Sequence, residues 1–254
     1  TLERLLDLEV VPLINENDTV SVDQLRFGDN DTLAALVACL VKAQLCVIFS
    51  DIEGLFTANP FEDATATLIP EVSSITPDIM ALASGSSSTV GSGGMITKIR
   101  AARVLMAAGI DMVICQGHNS DFLIQLAEGQ SLGTRFSPCG TVHDITPKKL
   151  WIALGDTAKG SLIVDEGAAE ALVSRGSSLL AVGVCGVEGS FAREDIVDIV
   201  NTSGRIIARG KAGASSSEIT LACGRSQREI KGNELLRDLA QRPVVHRDEL
   251  VVFE

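Results

Sequence analysis

The chain has 254 residues, 46% hydrophobic but only 4% aromatic and without tyrosine, so its cores must be aliphatic, built from Ala, Val, Ile and Leu. Its formal net charge is −12, of which −11 falls on residues 1–147 (7 basic, 18 acidic) and −1 on residues 148–254 (14 basic, 15 acidic), a balance that argues against binding to nucleic acid or an anionic membrane. The six cysteines show no C-x-x-C spacing, no apolar run reaches membrane-spanning length and no signal peptide is present, so a cytoplasmic protein with buried, reduced thiols is expected.

Residues 1–9 read as the end of an amphipathic helix. Because the chain opens on Thr inside such a helix, a fragment or processed chain is expected. Val10-Val11-Pro12-Leu13-Ile14 reads as a short buried strand with Pro near its start. A polar loop over 15–29 leads into a helix over 30–42, with Asp29 or Asn30 as its N-cap. Leu45-Cys46-Val47-Ile48-Phe49 is a continuous apolar run, the pattern of a central parallel strand, and it ends at Ser50-Asp51. Residues 54–63 are turn-rich, 76–83 predict a helix, and 84–94 form a Ser/Gly loop. A helix follows over 95–108, with Met95, Ile99, Ala102 and Met106 inward and Gly109 closing it. Met112–Cys115 predicts a buried strand, 121–127 a helix and 133–136 a short edge strand.

Strands alternate with helices, and polar loops follow strand ends. The fold class is therefore α/β: an open, mostly parallel sheet sandwiched by helices, with ligands in the crevice beyond the strands' carboxyl ends. The style changes over 137–147, where Pro138, Gly140 and Pro147 mark a boundary, dividing the chain into domains 1–147 and 148–254. Beyond it, residues 151–154, 161–164, 182–187, 195–200, 205–209 and 251–253 are β-like, interrupted by one helix over 166–175. Short strands at regular spacing predict a small, mostly-β barrel or sandwich.

Two segments carry the chemistry. Val90-Gly91-Ser92-Gly93-Gly94-Met95-Ile96-Thr97-Lys98 is a glycine loop that enters a helix and delivers one lysine. Glycines let a backbone approach a ligand closely, and a helix N-terminus suits a phosphate. The spacing is not that of a Walker A loop. The other segment, Ile14-Asn15-Glu16-Asn17-Asp18 followed by Gly28-Asp29-Asn30-Asp31, places seven carboxylates and carboxamides around one loop. Capping explains one or two of them. The mixture also suits a zwitterionic amino acid, because carboxamides donate to a carboxylate and accept from an ammonium. Phosphoryl transfer to a small polar acceptor needs both halves. Ser50-Asp51 suits either a strand-ending turn or a nucleotide contact at the sheet's carboxyl edge, and Phe56 suits either an adenine or the core. His118, His143 and His246 have no metal-ligand spacing.

Four motifs in this order, I-N-E-N-D (14–18), F-G-D-N-D (27–31), S-D-I-E-G-L-F-T-A-N-P (50–60) and G-S-G-G-M-I-T-K (91–98), resemble the glutamate 5-kinases of the amino acid kinase family. The segments V-D-E-G-A (164–168), R-G-S-S-L-L (175–180) and V-H-R-D (245–248) resemble the PUA domain that ends those enzymes. The resemblance implies an amino acid kinase-like sheet followed by a PUA-like domain. It further implies ATP- and Mg2+-dependent phosphorylation of the L-glutamate side chain, the first step of proline biosynthesis, with L-proline as feedback inhibitor and a homo-oligomer as the working form. By the same resemblance Asp18 and Asn30 bind glutamate, and Asp31 and Lys98 are catalytic. Ser50, Asp51, Ser92, Gly93, Gly94, Met95, Ile96, Thr97 and Lys98 then meet ATP. The family also carries a lysine-bearing strand and a Gly/Ser loop upstream, which this chain lacks. The competing readings are a kinase of another acceptor (aspartate, N-acetylglutamate, carbamate or UMP) and an RNA-binding or regulatory protein acting through its tail.

Overall fold

The computed structural model describes residues 2–15, 30–84, 94–118, 121–138, 146–154 and 157–253. The chain divides into two compact units, Thr1–Asp144 and Ile145–Glu254. Among the described residues no helix is long and apolar enough to cross a membrane.

The first unit contains, in order, α1 (Leu2–Asp7), α2 (Asn30–Leu40), β1 (Leu45–Ser50), β2 (Glu71–Val72), α3 (Pro77–Ser84), α4 (Met95–Ala107), β3 (Asp111–Gln116), α5 (Phe122–Ala127) and β4 (Thr134–Phe136). The strands form one sheet in the order β1-β3-β4-β2. β1 and β3 are parallel, with Phe49 opposite Cys115 and Ser50 opposite Gln116. β4 runs antiparallel to β3 and parallel to β2. α2 packs on α4, α2 on β1, and α4 on β3. Ala35, Ile99, Ala101, Ala102, Met112 and Ile114 lie in this core with no more than 2% exposure, aliphatic as the composition requires.

Three expectations fail in this unit. Residues 10–14 form no strand: Val11 is 82% and Leu13 96% exposed, and no ladder hydrogen bonds hold the segment among the described residues. An apolar run becomes a strand only when a neighbour takes its backbone groups. β1 lies at the edge of the described sheet rather than its centre, with β3 alone beside it, and Phe49 remains 44% exposed. β4 is not an edge strand. It sits between β3 and β2, with Thr134 and Phe136 fully buried. α4 is apolar well beyond the expected stripe, and Lys98 and Arg103 are buried along it too. Gly109 follows it at φ 76, the left-handed conformation expected of its terminating glycine.

The second unit contains α6 (Pro147–Leu154), β5 (Gly160–Val164), α7 (Glu166–Arg175), β6 (Val184–Gly189), β7 (Ile196–Val200), β8 (Ile206–Lys211), α8 (Ser216–Ala222), α9 (Gln227–Gly232), α10 (Arg237–Gln241) and β9 (Leu250–Val252). The five strands are ordered β6-β5-β7-β8-β9, with β5 and β7 parallel and the other pairs antiparallel. α7 keeps the bounds read from the sequence. Asp165 caps its start by accepting from Ala168 N, and Gly176 ends it at φ 57. The expected strand at 151–154 is instead the second half of α6. Leu150 and Ala153, a helical turn apart, are buried, while Trp151 between them is 39% exposed. The helix opens on Pro147, a residue suited to a first helical position, and its apolar side packs on β8 and β9. Helices α8, α9 and α10 add a layer that strand-spacing arguments do not predict.

Candidate active site

α2 turns through residues 41–44 into β1, and α4 turns through residues 108–110 into β3. Each helix packs back along the strand it precedes. Because β1 and β3 are parallel, the N-termini of both helices lie at the strands' carboxyl edge, with Ser50, Asp51 and Gln116. That edge is where open α/β sheets bind ligands.

Asp31 and Lys98 meet there. Asp31 lies in the first turn of α2 and Lys98 in the first turn of α4. Lys98 Nζ lies 3.1 Å from Asp31 Oδ2 and 3.4 Å from Oδ1, in a site where the two residues are 9% and 8% exposed. Thr97 Oγ1 lies 2.6 Å from Asp31 Oδ2 and 2.7 Å from the Gly94 carbonyl, its one proton shared between the two acceptors. The carboxylate is thus held by a cation and a hydroxyl. An ammonium has three donors, so Lys98 keeps at least one for an incoming anion.

The α4 N-terminus adds donors. Gly94, its N-cap, is extended, and no side chain caps it. A Cβ at Gly94 would meet nothing within 4 Å among the described residues. Uncapped amides at a helix start, with the helix dipole behind them, form an anion site. Cys46 on β1 feels the same charges. Its thiol is pushed up to about 11, first by burial and then by the negative charge of Asp31.

The structure brings Asp31, Gly94, Met95, Thr97 and Lys98 together. Ser50 Oγ donates to Asp51 Oδ1 at 3.1 Å on the same sheet edge, where Asp51 is exposed. Ile96 is half-buried in the first turn of α4. Asn30 is the exposed first residue of α2 and lines a hollow of about 480 Å³ with Asn15, Pro12, Ile14 and Leu33. Asp18, Ser92, Gly93 and His143 lie outside the described residues. The Thr97 hydroxyl faces Asp31 and Gly94. Gln116, opposite Ser50 at the end of β3, escaped the sequence reading. Its signal is a polar residue closing an apolar strand.

Among the described residues no group of three or more His, Cys, Asp or Glu side chains could hold a metal ion. With Asp31 already shared by Lys98 and Thr97, the site fits a phosphate better than a resident cation.

The model of the amino acid kinase family matches residues 1–116, and that of the PUA domain matches residues 160–232. The glutamate 5-kinase of Myxococcus xanthus is 48% identical over 253 residues, which are 100% of this chain and 66% of that protein. The glutamate 5-kinases of Nitrosomonas eutropha and Deinococcus radiodurans are 44% and 45% identical, each over all of this chain and over 67% and 68% of their own lengths. The chain thus spans about two thirds of the length of the curated relatives it matches. It belongs to the glutamate 5-kinase family, with an amino acid kinase segment followed by a PUA domain.

Proposed function

We propose that the protein transfers the γ-phosphoryl group of ATP to the side-chain carboxylate of L-glutamate, giving L-glutamyl 5-phosphate and ADP, the first step of proline biosynthesis. One observation carries the reading. A buried lysine, paired with an Asp31 carboxylate that Thr97 also holds, stands beside an uncapped helix N-terminus at the carboxyl edge of the sheet. The relatives' shared name, glutamate 5-kinase, supports the choice of acceptor.

A carboxylate oxygen of glutamate attacks the terminal phosphorus. The bond to the bridging oxygen breaks, and ADP leaves with the electron pair. The nucleophile is already ionised, so no general base is needed, and Asp31 has no proton to take. Catalysis then rests on placement and on charge. Lys98 neutralises the moving phosphoryl oxygens, Asp31 holds the ammonium in place, and the first amides of α4 receive phosphate. Ser50 and Asp51 meet the nucleotide at the end of β1, with Ser92, Gly93, Gly94, Met95, Ile96, Thr97 and Lys98 around its phosphates. Asn30 and Asp18 receive glutamate. Bound with ATP, Mg2+ would supply charge neutralisation on the phosphate oxygens. Residues 1–147 carry this chemistry and residues 148–254 form the PUA domain. A cytoplasmic homo-oligomer inhibited by L-proline completes the proposal.

The test is glutamate-dependent ADP release by the full-length protein, with aspartate, N-acetylglutamate, carbamate and UMP as rival acceptors. Glutamate is expected to give the highest kcat/KM. A rival acceptor used better than glutamate would overturn the assignment.

A further inference from the structure

Thr134 is fully buried, lies outside the residues the amino acid kinase model matches, and is not used by the chemistry above. Its hydroxyl makes two long-range hydrogen bonds. Oγ1 accepts from Leu55 N at 2.8 Å and donates to the Ile69 carbonyl at 2.7 Å. Leu55 and Ile69 are themselves joined, since Ile69 N donates to the Leu55 carbonyl at 2.8 Å. Phe56 bridges Leu68, and Thr57 N donates to the Thr67 carbonyl at 2.9 Å. Residues 55–57 and 67–69 therefore form a small antiparallel arm, rooted on one threonine.

Two glycines make the root tight. A Cβ on Gly54 would lie 2.5 Å from Thr134 Oγ1 and 2.9 Å from Thr134 N. A Cβ on Gly133, whose φ is +64, would lie 2.0 Å from the Ile114 carbonyl oxygen and 2.8 Å from that of Glu53. Gly54 admits no side chain while Thr134 and the arm stay where they are, and Gly133 admits none while β3 does. At the other end, Ser50 is locked in register with Gln116, and Gly117 N donates to its carbonyl at 2.9 Å. The chain between Ser50 and Leu55 is thus pinned at both ends, and Asp51 lies on it.

We propose that Thr134 is a positioning residue for nucleotide binding: its hydroxyl roots the arm of residues 55–69 on β4 and so presets the Ser50–Asp51 edge that receives the nucleotide. The inference rests on the kinase reading of that edge. Thr134 touches no nucleotide. It acts by removing the cost of ordering the span when ligand arrives.

The test compares Thr134→Val, which keeps the shape and loses the hydroxyl, with Thr134→Ser, which keeps the hydroxyl, in the full-length protein. Amide exchange of the peptide containing Leu55 reports the arm, and titration calorimetry with ATP reports the site. Thr134→Val is expected to speed exchange at Leu55, weaken ATP about tenfold and raise KM for ATP, with KM for glutamate within about twofold of wild type. Thr134→Ser is expected to restore both. Faster exchange with unchanged ATP affinity would overturn the proposal and leave Thr134 a purely structural anchor. If Thr134→Val does not fold, Gly54→Ala, whose methyl would press on Thr134 Oγ1, disturbs the same root: faster exchange at Leu55 with weaker ATP binding supports the proposal, and faster exchange with unchanged ATP affinity overturns it. Failure of the wild-type protein to bind ATP would instead strike the kinase reading.

Discussion

Lys98 Nζ sits 3.1 Å from Asp31 Oδ2, and the two side chains keep only 11% and 10% of their surface exposed. The contact joins the first turns of α2 and α4, 67 residues apart in sequence. Two buried charges tolerate each other only as a pair, so removing one leaves the other costly. Lys98→Ala is expected to lower stability by about 3 kcal/mol and kcat by roughly 10²–10³. Adding Asp31→Asn to it is expected to recover part of the stability and none of the activity. Urea unfolding and glutamate-dependent ADP release measure the two effects separately, and wild-type turnover in Lys98→Ala would remove the lysine from the mechanism.

The second unit holds a comparable joint. Arg209 grips Asp198 through two bonds, Nε to Oδ1 at 2.7 Å and Nη2 to Oδ2 at 3.2 Å, while Nη1 donates to the Ala153 carbonyl at 3.1 Å. Ala153 lies in the last turn of α6, where carbonyls lack helical partners, so one guanidinium ties two strands and caps a helix. Arg209→Ala is expected to cost about 3–5 kcal/mol. Arg209→Lys is expected to recover less than half of that, because an ammonium cannot form the two-pronged contact. Trp151, the chain's single tryptophan, lies in α6 itself, so its fluorescence during urea unfolding reports the effect directly.

The parts of this fold that the sequence announces are those set by local chemistry. Asp165, Gly176 and the residues between them define α7 without reference to anything distant. Buried runs such as Met112–Cys115 read correctly because an aliphatic strand looks the same whatever lies beside it. Strand position does not read this way. The run 45–49 looks central and 133–136 looks peripheral, yet among the described strands the order is the reverse, because neighbours are chosen by pairing across distant segments. α8 and α9 were legible and passed over: Ser215 with Glu218, and Ser226 with Glu229, both form reciprocal capping boxes. At the site, the glycine loop and Lys98 point to phosphate from sequence alone. The partnership of Thr97 with Asp31 does not, since it depends on two helices starting at the same edge.

Glycine positions offer a clean separation of backbone strain from crowding. Gly129 and Gly133 both have positive φ, +82 and +64, but a Cβ at Gly129 would meet nothing within 4 Å, whereas one at Gly133 would press on the Ile114 and Glu53 carbonyls. Gly129→Ala is expected to cost about 1–2 kcal/mol, the price of a left-handed alanine. Gly133→Ala is expected to cost at least about 2 kcal/mol more, because β3 or β4 must shift to admit the methyl. Thermal unfolding of the two variants side by side measures the difference, and equal losses would mean that the Gly133 contact relaxes freely.

The thiols of Cys39 and Cys46 give the first unit an alkaline weakness. Burial, then each neighbouring charge, pushes them up to about 12 and about 11 from an ordinary 9.0. Above pH 9 an unfolded chain releases these protons while the folded chain keeps them. The folded state then binds more protons, and stability must fall as pH rises. The contribution is fully present below pH 9 and is lost between about 9 and 12, with a slope on the order of 1 kcal/mol per pH unit for each thiol. Cys46→Ala is expected to flatten the decline from 9 to 11 relative to wild type. Iodoacetamide at pH 8 is expected to label the exposed Cys185 before either of them, since burial both shields Cys39 and Cys46 and keeps them protonated. Parallel pH profiles of the urea midpoint for wild type and Cys46→Ala would show that the Cys46 proton is not coupled to folding.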